Sequence, residues 1–485
     1  KWQIEEAGEK VEQMAVDHAG EPGVQFLQAR YDFLKGRYEQ SLSRLDQLLH
    51  NTESRGEWKR FRKIVESTRE VTKGYEKHTS ESGKFEIYVE SGPDRVLVPY
   101  ASEALERAYE AIGEELGYKP KTPIRVEVYP QTSTLAKVSG LTEQEIRTSG
   151  TIALCKYNRL MITSPRALLR GYGWVDTLIH EYVHFVINKK TGNDVPIWMH
   201  EGLAKFLEHR WRGREAHRLP PSTEHLLKKR VEANDLITFE QMHPSMAKLP
   251  SQEDAATAFA EVFTVMEYLH ENHGPGAFER LLETIPTVDG ARAAFAEVVG
   301  KDFSAFERDW KRYLRKRETI DYPEEYGYRN KLVFKDESDE SKNIDELEQP
   351  KARDYMKLGE MLQARSRYAA AVVEYEKAVR LTKTPNPRLR TRLAQSLTET
   401  GDPGRALEVL EPVKKYYPSY LTLWIGLGKA SLKTGADEKA RDYLLEAARI
   451  NPFNPEIHEL LAEAYRGLGD AERAEREKRF ARLVQ

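Results

Sequence analysis

A repeat in the C-terminal third of the chain constrains the fold most. Ala371, Ala406, Ala440 and Ala474 recur at spacings of 35, 34 and 34 residues. Gly401, Gly435 and Gly469 each stand five residues ahead of the last three alanines, and Pro418 and Pro452 follow their alanines by twelve. A helix-turn-helix unit needs these residue types: a small residue where two helices cross, a glycine in the turn and a proline closing the unit.

The segments GDPGRALEVLEPVKKYYP and GADEKARDYLLEAARINP resemble the tetratricopeptide pattern in period and residue types together. Four units are expected over 353–485, with Ser366 replacing the turn glycine in the first. The resemblance implies an all-α superhelix whose concave face holds peptide segments of a protein partner. Near the N-terminus ARYDFLKGRYEQSLSRLDQLL carries the same offsets at Ala29, Gly36 and Ser41. Residues 1–82 therefore read as a helical segment, either a degenerate repeat or an ordinary helical hairpin.

Between the repeats and the centre, 318–352 contains KDESDESKNIDELEQ, which is acidic, poor in large apolar residues and bounded by Pro350. It reads as a solvated linker. The central region, 83–317, mixes strands and helices. KFEIYVE and PIRVEVYP alternate apolar and polar residues as half-buried strands do, with a helical pattern between them that Gly117 ends. RLMITSP reads as a further strand stopped by Pro165. The expected class is α+β, a small sheet packed on a helical lobe and followed by the repeats.

Charge and cysteine content exclude several functions. A formal net charge of -3 lacks the basic excess of a nucleic-acid binder. Cys155 is the only cysteine, so intramolecular disulfides and cysteine-rich metal sites are impossible, and it is expected as a core thiol. No apolar run approaches the roughly 20 residues of a membrane-spanning helix. The sequence opens on Lys1 rather than methionine, pointing to a processed start with any signal peptide removed.

The chemistry centres on VDTLIHEYVHFVIN. On a helix His180 and His184 lie one turn apart on the same face, so both imidazoles can reach one ion, while Glu181 is rotated by about 100°. By spacing alone the pattern fits either a metal site or two buried core histidines. A catalytic zinc takes three protein ligands and keeps an open position. The stretch PIWMHEGLAKFLE follows after helix breakers Gly192 and Pro196, and Glu201, 17 residues beyond His184, can return in a helical hairpin.

HEYVH followed by WMHEGLAKFLE resembles the gluzincin metallopeptidases, in particular the peptidase-MA-like proteins. The resemblance extends over 83–317, through RLMITSP as an edge strand beside the cleft and AFAEVFTVMEYLHENHG and FSAFERDWKRYL as downstream helices. It implies zinc (Zn2+) held by His180, His184 and Glu201, with Glu181 as general base. Glu208 matches a recurrent family glutamate. His200 stands where asparagine is frequent. Both are candidates for supporting a ligand from behind.

One departure bears on activity. Relatives place a tyrosine able to hydrogen-bond the developing oxyanion where this chain has Phe259, leaving His243, His225, Tyr268 and Tyr157 as substitutes to consider. The absence of a GxMEN-type segment favours an endopeptidase over an aminopeptidase. The expected function is hydrolysis of peptide bonds in a protein or peptide substrate, with the repeats recruiting partners. The alternative is a catalytically inactive scaffold whose repeats carry the function. The resemblance also suggests a bacterial protein exported to the cell envelope or periplasm.

Overall fold

The computed structural model describes residues 4–18, 20–51, 56–121, 123–192, 194–213, 219–246, 249–319, 347, 349–383 and 385–485. Most of the expected acidic linker lies outside the described residues. The chain packs as two compact units. One comprises Lys1–Ser164, Val175–Leu219 and Lys229–Glu318, and the other Pro165–Trp174, Pro220–Lys228 and Thr319–Gln485.

The first unit opens on helices α1 (Ile4–Asp17), α2 (Pro22–Leu34), α3 (Tyr38–Asn51) and α4 (Gly56–Thr72). Gly36 turns α2 into α3 at φ +75°, and the buried Ser41 hydroxyl donates to the Ala29 carbonyl at 2.7 Å.

Strands β1 (Tyr75–Thr79), β2 (Phe85–Glu90), β3 (Ile124–Tyr129), β4 (Ala153–Lys156) and β5 (Arg159–Thr163) form one sheet in the order β1-β2-β3-β5-β4. β2, β3 and β5 pair in parallel, whereas β1 and β4 lie antiparallel at the two edges. Parallel neighbours need crossovers. These are α5 (Leu97–Leu116), which Gly117 ends in a left-handed conformation, and the path through α6 (Thr132–Ser139), α7 (Glu143–Ser149) and β4. Phe85, Ile87 and Val89 fill the buried face of β2 at the expected period of two.

Two strands escaped the periodicity. YEKHT of β1 has no apolar alternation, and ALCK of β4 is only four residues long. RLMIT, which the family resemblance puts at the edge of the sheet, is internal, with β4 covering it from Ala153 opposite Ile162 to Lys156 opposite Arg159.

The sheet is tied to α3 through a buried charge cluster. Glu127 on β3 lies 3.1 Å from Arg159 on β5, 2.5 Å from Arg125, and accepts from the Tyr38 and Tyr129 hydroxyls. Burial pushes this carboxyl up, but the two guanidiniums more than offset that and hold it at about 2.

Helices α8 (Trp174–Thr191), α9 (Ile197–Leu207), α10 (Pro221–Ala233), α11 (Gln252–His273), α12 (Ala277–Thr284), α13 (Ala291–Val299) and α14 (Phe303–Lys316) follow the sheet in sequence. Trp198 at the start of α9 packs against Phe239, Phe295 and Phe303, fixing where α9 enters the helical lobe.

In the second unit the repeats form four helical pairs: α15 (Pro350–Gln363) with α16 (Tyr368–Leu381), α17 (Pro387–Glu399) with α18 (Pro403–Lys414), α19 (Leu421–Lys433) with α20 (Asp437–Ile450), and α21 (Pro455–Gly467) with α22 (Ala471–Leu483). The four repeat alanines sit at the fourth position of the second helix in each pair, at most 1% exposed, where any larger side chain would meet the crossing helix. Ser366, Gly401, Gly435 and Gly469 occupy the turns at φ +56°, +86°, +72° and +77°. The next residue in each turn donates its N–H back at 2.9 Å, Arg367 to Leu362, Asp402 to Leu397, Ala436 to Ser431 and Asp470 to Tyr465. This is the helix-end arrangement that a left-handed residue makes possible.

Segment 165–174, expected within the central domain, packs with this unit. The Tyr172 N–H donates to the Ile450 carbonyl at 3.0 Å and the Trp174 indole to the Ala448 carbonyl at 3.1 Å, both at the end of α20. Among the described residues no helix is long and apolar enough to cross a membrane.

Candidate metal centre

Asp176 in the first turn of α8 and Lys189 and Lys190 in its last complement the helix dipole, and Gly192 follows its end at φ +67°. Asp176 also accepts from the Trp211 indole at 3.0 Å and from Arg212 at 2.9 and 2.8 Å, tying α8 to the segment just beyond Glu208. Pro196 caps α9 and returns the chain. The α8–α9 hairpin brings His180, His184 and Glu201 together as their spacing requires.

His180 Nε2 lies 3.3 Å and His184 Nε2 3.5 Å from the same atom, Oε2 of Glu201. His180, Glu181 and His184 also offer ligand atoms within 4.8 Å of one another. The side chains of His180, His184 and Glu201 are between 12% and 19% exposed, so the cluster is largely buried but still reached by solvent.

Each histidine is held from behind through its other nitrogen. His180 Nδ1 faces Glu208 Oε2 at 3.0 Å, and Lys205 holds the other oxygen of that carboxylate at 2.6 Å. His184 Nδ1 faces His200 Nδ1 at 2.6 Å, and His200 Nε2 faces Asn188 Oδ1 at 3.1 Å. Both supporting residues marked in the sequence are therefore in contact with a histidine of the pair. Asn188 and Asp176 were missed: each lies on α8 away from the motif and carries no signal until α9 and the following segment are folded back.

The electrostatics follow from these contacts. Burial pulls the His180 imidazole down, but hydrogen bonds to Glu201 and Glu208 prevail and raise it to about 10. Burial works against the Glu201 charge, and the two histidines overcome it, holding its carboxyl well below the ordinary value. Burial, opposed chiefly by Lys205 and His180, leaves Glu208 at about 2. His200 is lowered to about 3 by burial and by His184, so it is neutral. Burial raises Glu181 above an ordinary carboxyl, partly offset by the histidines and by the backbone N–H of Cys155. That N–H belongs to edge strand β4, beside which Glu181 lies. The Cys155 thiol is pushed up by burial and by the Glu181 charge, which keeps it protonated.

The donor set fits a divalent cation. With Asn188 accepting from His200 Nε2, neutral His200 accepts at Nδ1 and His184 donates from its own Nδ1. His184 Nε2 is then the nitrogen left to face Glu201 Oε2, the orientation in which ring and carboxylate can share one cation. Two imidazole nitrogens and one carboxylate oxygen are a ligand set that suits zinc.

Gly202, next to Glu201, sets how closely α9 approaches α11. A Cβ there would fall 2.9 Å from the Val262 carbonyl oxygen and 3.1 Å from Met266 Cε. Glu201 can reach the histidines because this position carries no side chain.

Tyr268 packs against Phe306 and Tyr313, Tyr157 against Phe33, and His243 is exposed in the loop before α11. His225 belongs to the second unit. Phe259 is half-buried on α11.

Residues 102–316 match the Peptidase MA superfamily, a stretch that contains every residue of the cluster, and residues 397–464 match a tetratricopeptide repeat. No curated protein matches the chain. Among solved structures, a thermophilic TPR protein of Thermus thermophilus is 25% identical over 28% of this chain and 74% of its own, with a TM-score of 0.26. Native leukotriene A4 hydrolase from Saccharomyces cerevisiae is 12% identical over 85% of this chain and 67% of its own, with a TM-score of 0.32. Overlaps at such scores carry no argument about fold or activity. The chain thus carries a Peptidase MA superfamily domain followed by tetratricopeptide repeats.

Proposed function

We propose that the protein is a zinc-dependent endopeptidase whose repeats recruit protein partners or substrates. The observation that carries this is the convergence of His180 Nε2 and His184 Nε2 on Glu201 Oε2, with both Nδ1 atoms engaged from behind. Three protein ligands leave a tetrahedral zinc one position for a water or a substrate carbonyl, and solvent still reaches the cluster. When bound, zinc supplies the Lewis acidity that activates water near neutral pH and polarises a peptide carbonyl.

The remaining work falls to the chain. Glu181, raised by burial and beside the pair, is suited to accept a proton and return it to the leaving amine. Glu208, His200 and Asn188 fix the ring orientations, and neutral His200 sets which nitrogen of His184 carries the proton. Strand β4 lies at the sheet edge beside Glu181, a position along which an extended substrate can add.

A second reading, an inactive scaffold, is favoured by one observation. Phe259, where relatives carry a tyrosine, supplies no hydroxyl. A missing oxyanion donor typically costs about 10²-fold or more in rate.

The deciding experiment measures zinc content and cleavage of an unstructured protein for the unmodified chain and for Glu181→Gln. Our reading expects about one zinc per chain in both and cleavage only with Glu181. Absence of zinc overturns the ligand set, equal cleavage by the variant overturns the base, and zinc without cleavage in either transfers the function to the repeats.

A further inference from the structure

A cavity of about 210 Å³ lies between α2 and α4, closed on one side by Tyr157 from the turn that joins β4 to β5. Phe26, Arg30 and Phe33 on α2, and Glu57, Phe61 and Ile64 on α4, recur at the three- and four-residue steps that put side chains on one face of a helix. Both helices therefore turn one face to the same space. Tyr157 and Asn158 hold the β4–β5 turn at φ +56° and +61°, and the Asn158 amide ties it to α2 by donating to the Leu34 carbonyl at 3.4 Å. The cavity thus forms where the sheet docks on the N-terminal helices, and the helices alone do not close it.

Its walls are aromatic rings set edge to face. Phe61 stands at 81° to Phe26 and at 83° to Phe33, with centroids 5.6 and 5.3 Å apart, and Tyr157 stands at 72° to Phe33, 5.2 Å away. Such walls offer a further ring both faces and edges to pack on. A cavity of about 150 Å³ already holds benzene, so this one has room for one ring and a short tail, not for a run of peptide.

The charge around the cavity is positive. The Arg30 guanidinium lies over the Phe26 and Phe61 rings at 5.8 and 6.0 Å, and Arg60 lies in the same lining. Among the described residues neither is paired with a carboxylate, and Glu57 is the only carboxylate in the lining. A further guanidinium stands beside the walls: Arg159, 1% exposed, lies 4.8 Å from the Phe33 ring and 5.6 Å from the Tyr157 ring. Its buried Nη2 has no hydrogen-bond partner among the described residues. Arg159 and Arg125 share Glu127, so this cluster also carries an excess cation. Guanidinium groups bind carboxylates through paired, charge-assisted hydrogen bonds, while the rings favour an apolar body.

We propose that this cavity binds a small aromatic carboxylate, its ring among Phe26, Phe33, Phe61 and Tyr157 and its carboxylate on Arg30. Glu57 and the apolar interior argue against inorganic phosphate or a nucleic acid. The proposal stands on α2, α4 and the β4–β5 turn, and does not depend on the metal centre.

The test is isothermal titration calorimetry on the full chain with 3-phenylpropanoate, beside 2-phenylethylamine, which keeps the ring and reverses the charge. The carboxylate is expected to bind saturably with a Kd at or below about 1 mM, the range that ligand efficiency allows a molecule this small, and the amine not. Arg30→Met, which keeps the stem over the rings and removes the charge, is expected to weaken binding about tenfold. Ile64→Trp, which fills the cavity, is expected to abolish it. Arg482→Met, an equal charge change at an exposed position on α22, is expected to leave binding unchanged, with far-UV circular dichroism confirming the fold of each variant. No saturable binding at about 10 mM, or unchanged binding by Arg30→Met, would overturn the site. Equal binding of the amine would overturn the ligand class. Tighter binding of a hexapeptide that ends in phenylalanine would overturn the small-molecule assignment and make the cavity a receptor for a chain terminus.

Discussion

The imidazoles of His184 and His200 meet Nδ1 to Nδ1 at 2.6 Å, so a single proton lies between two ring nitrogens. Asn188 decides which ring owns it, because its Oδ1 takes the other proton of His200. His184 Nε2 is thereby the nitrogen that faces Glu201. Replacing His200 by Phe is expected to lower zinc affinity about 10- to 100-fold, the usual cost of losing a group that orients a metal ligand. His200→Gln, which can still accept at that position, should recover part of the loss. Chelator competition measures both. Equal affinities for the three proteins would show that His200 only fills space.

Zinc binding should release a proton. Glu201 and Glu208 raise His180 to about 10, so at pH 7 it is protonated, and a metal ligand must be neutral. The stability that this charge adds is present below the unfolded histidine value and is lost as pH rises through the folded one, which places its loss above about pH 7. Zinc affinity should therefore rise with pH between 6 and 8 by about tenfold per unit. Calorimetry in buffers of different ionisation enthalpy would count the proton. A count of zero removes His180 from the ligand set.

Gly202→Ala is expected to destabilise the first unit by about 1–3 kcal/mol, the range for forcing atoms into a packed interface. The added Cβ would press on the Val262 carbonyl, a backbone atom with little freedom to yield. Because Glu201 is adjacent, zinc affinity should fall with stability. Urea unfolding and chelator competition on the same variant test the link. A stable variant with weakened zinc binding would mean that α9 shifts without opening the core.

Ser366 holds the first repeat turn at φ +56°, where the other three repeats have glycine. A residue with a Cβ pays about 1–2 kcal/mol there, part of which glycine returns as unfolded-state entropy. Ser366→Gly should stabilise the first pair by about 0.5–1 kcal/mol. Hydrogen exchange of α15 and α16 would register it. Unchanged or faster exchange would show that the serine hydroxyl compensates for the conformation.

Much of this molecule is legible in its sequence because the signals are local. A 34-residue period reports a helical pair whose alanine, turn and stop recur within one unit, and all four alanines are buried where that period puts them. His180 and His184 must share a helix face, and Glu201 can return only if the intervening Gly192 and Pro196 break the helix, as they do.

What remained hidden depends on contacts between distant segments. β4 is too short to show a period, and only its pairing reveals that it, and not β5, forms the edge of the sheet. Tyr172 and Trp174 read as part of the central domain, yet their hydrogen bonds lead to carbonyls almost 280 residues onward in α20. Asn188 and His200 lie on different helices, and their alignment behind His184 exists only once Gly202 lets α9 settle against α11. The sequence determined which residue types could hold a metal and where the helices turn. Packing alone decided which nitrogen faces the carboxylate, because ring orientation is set by neighbours that the chain supplies from other elements.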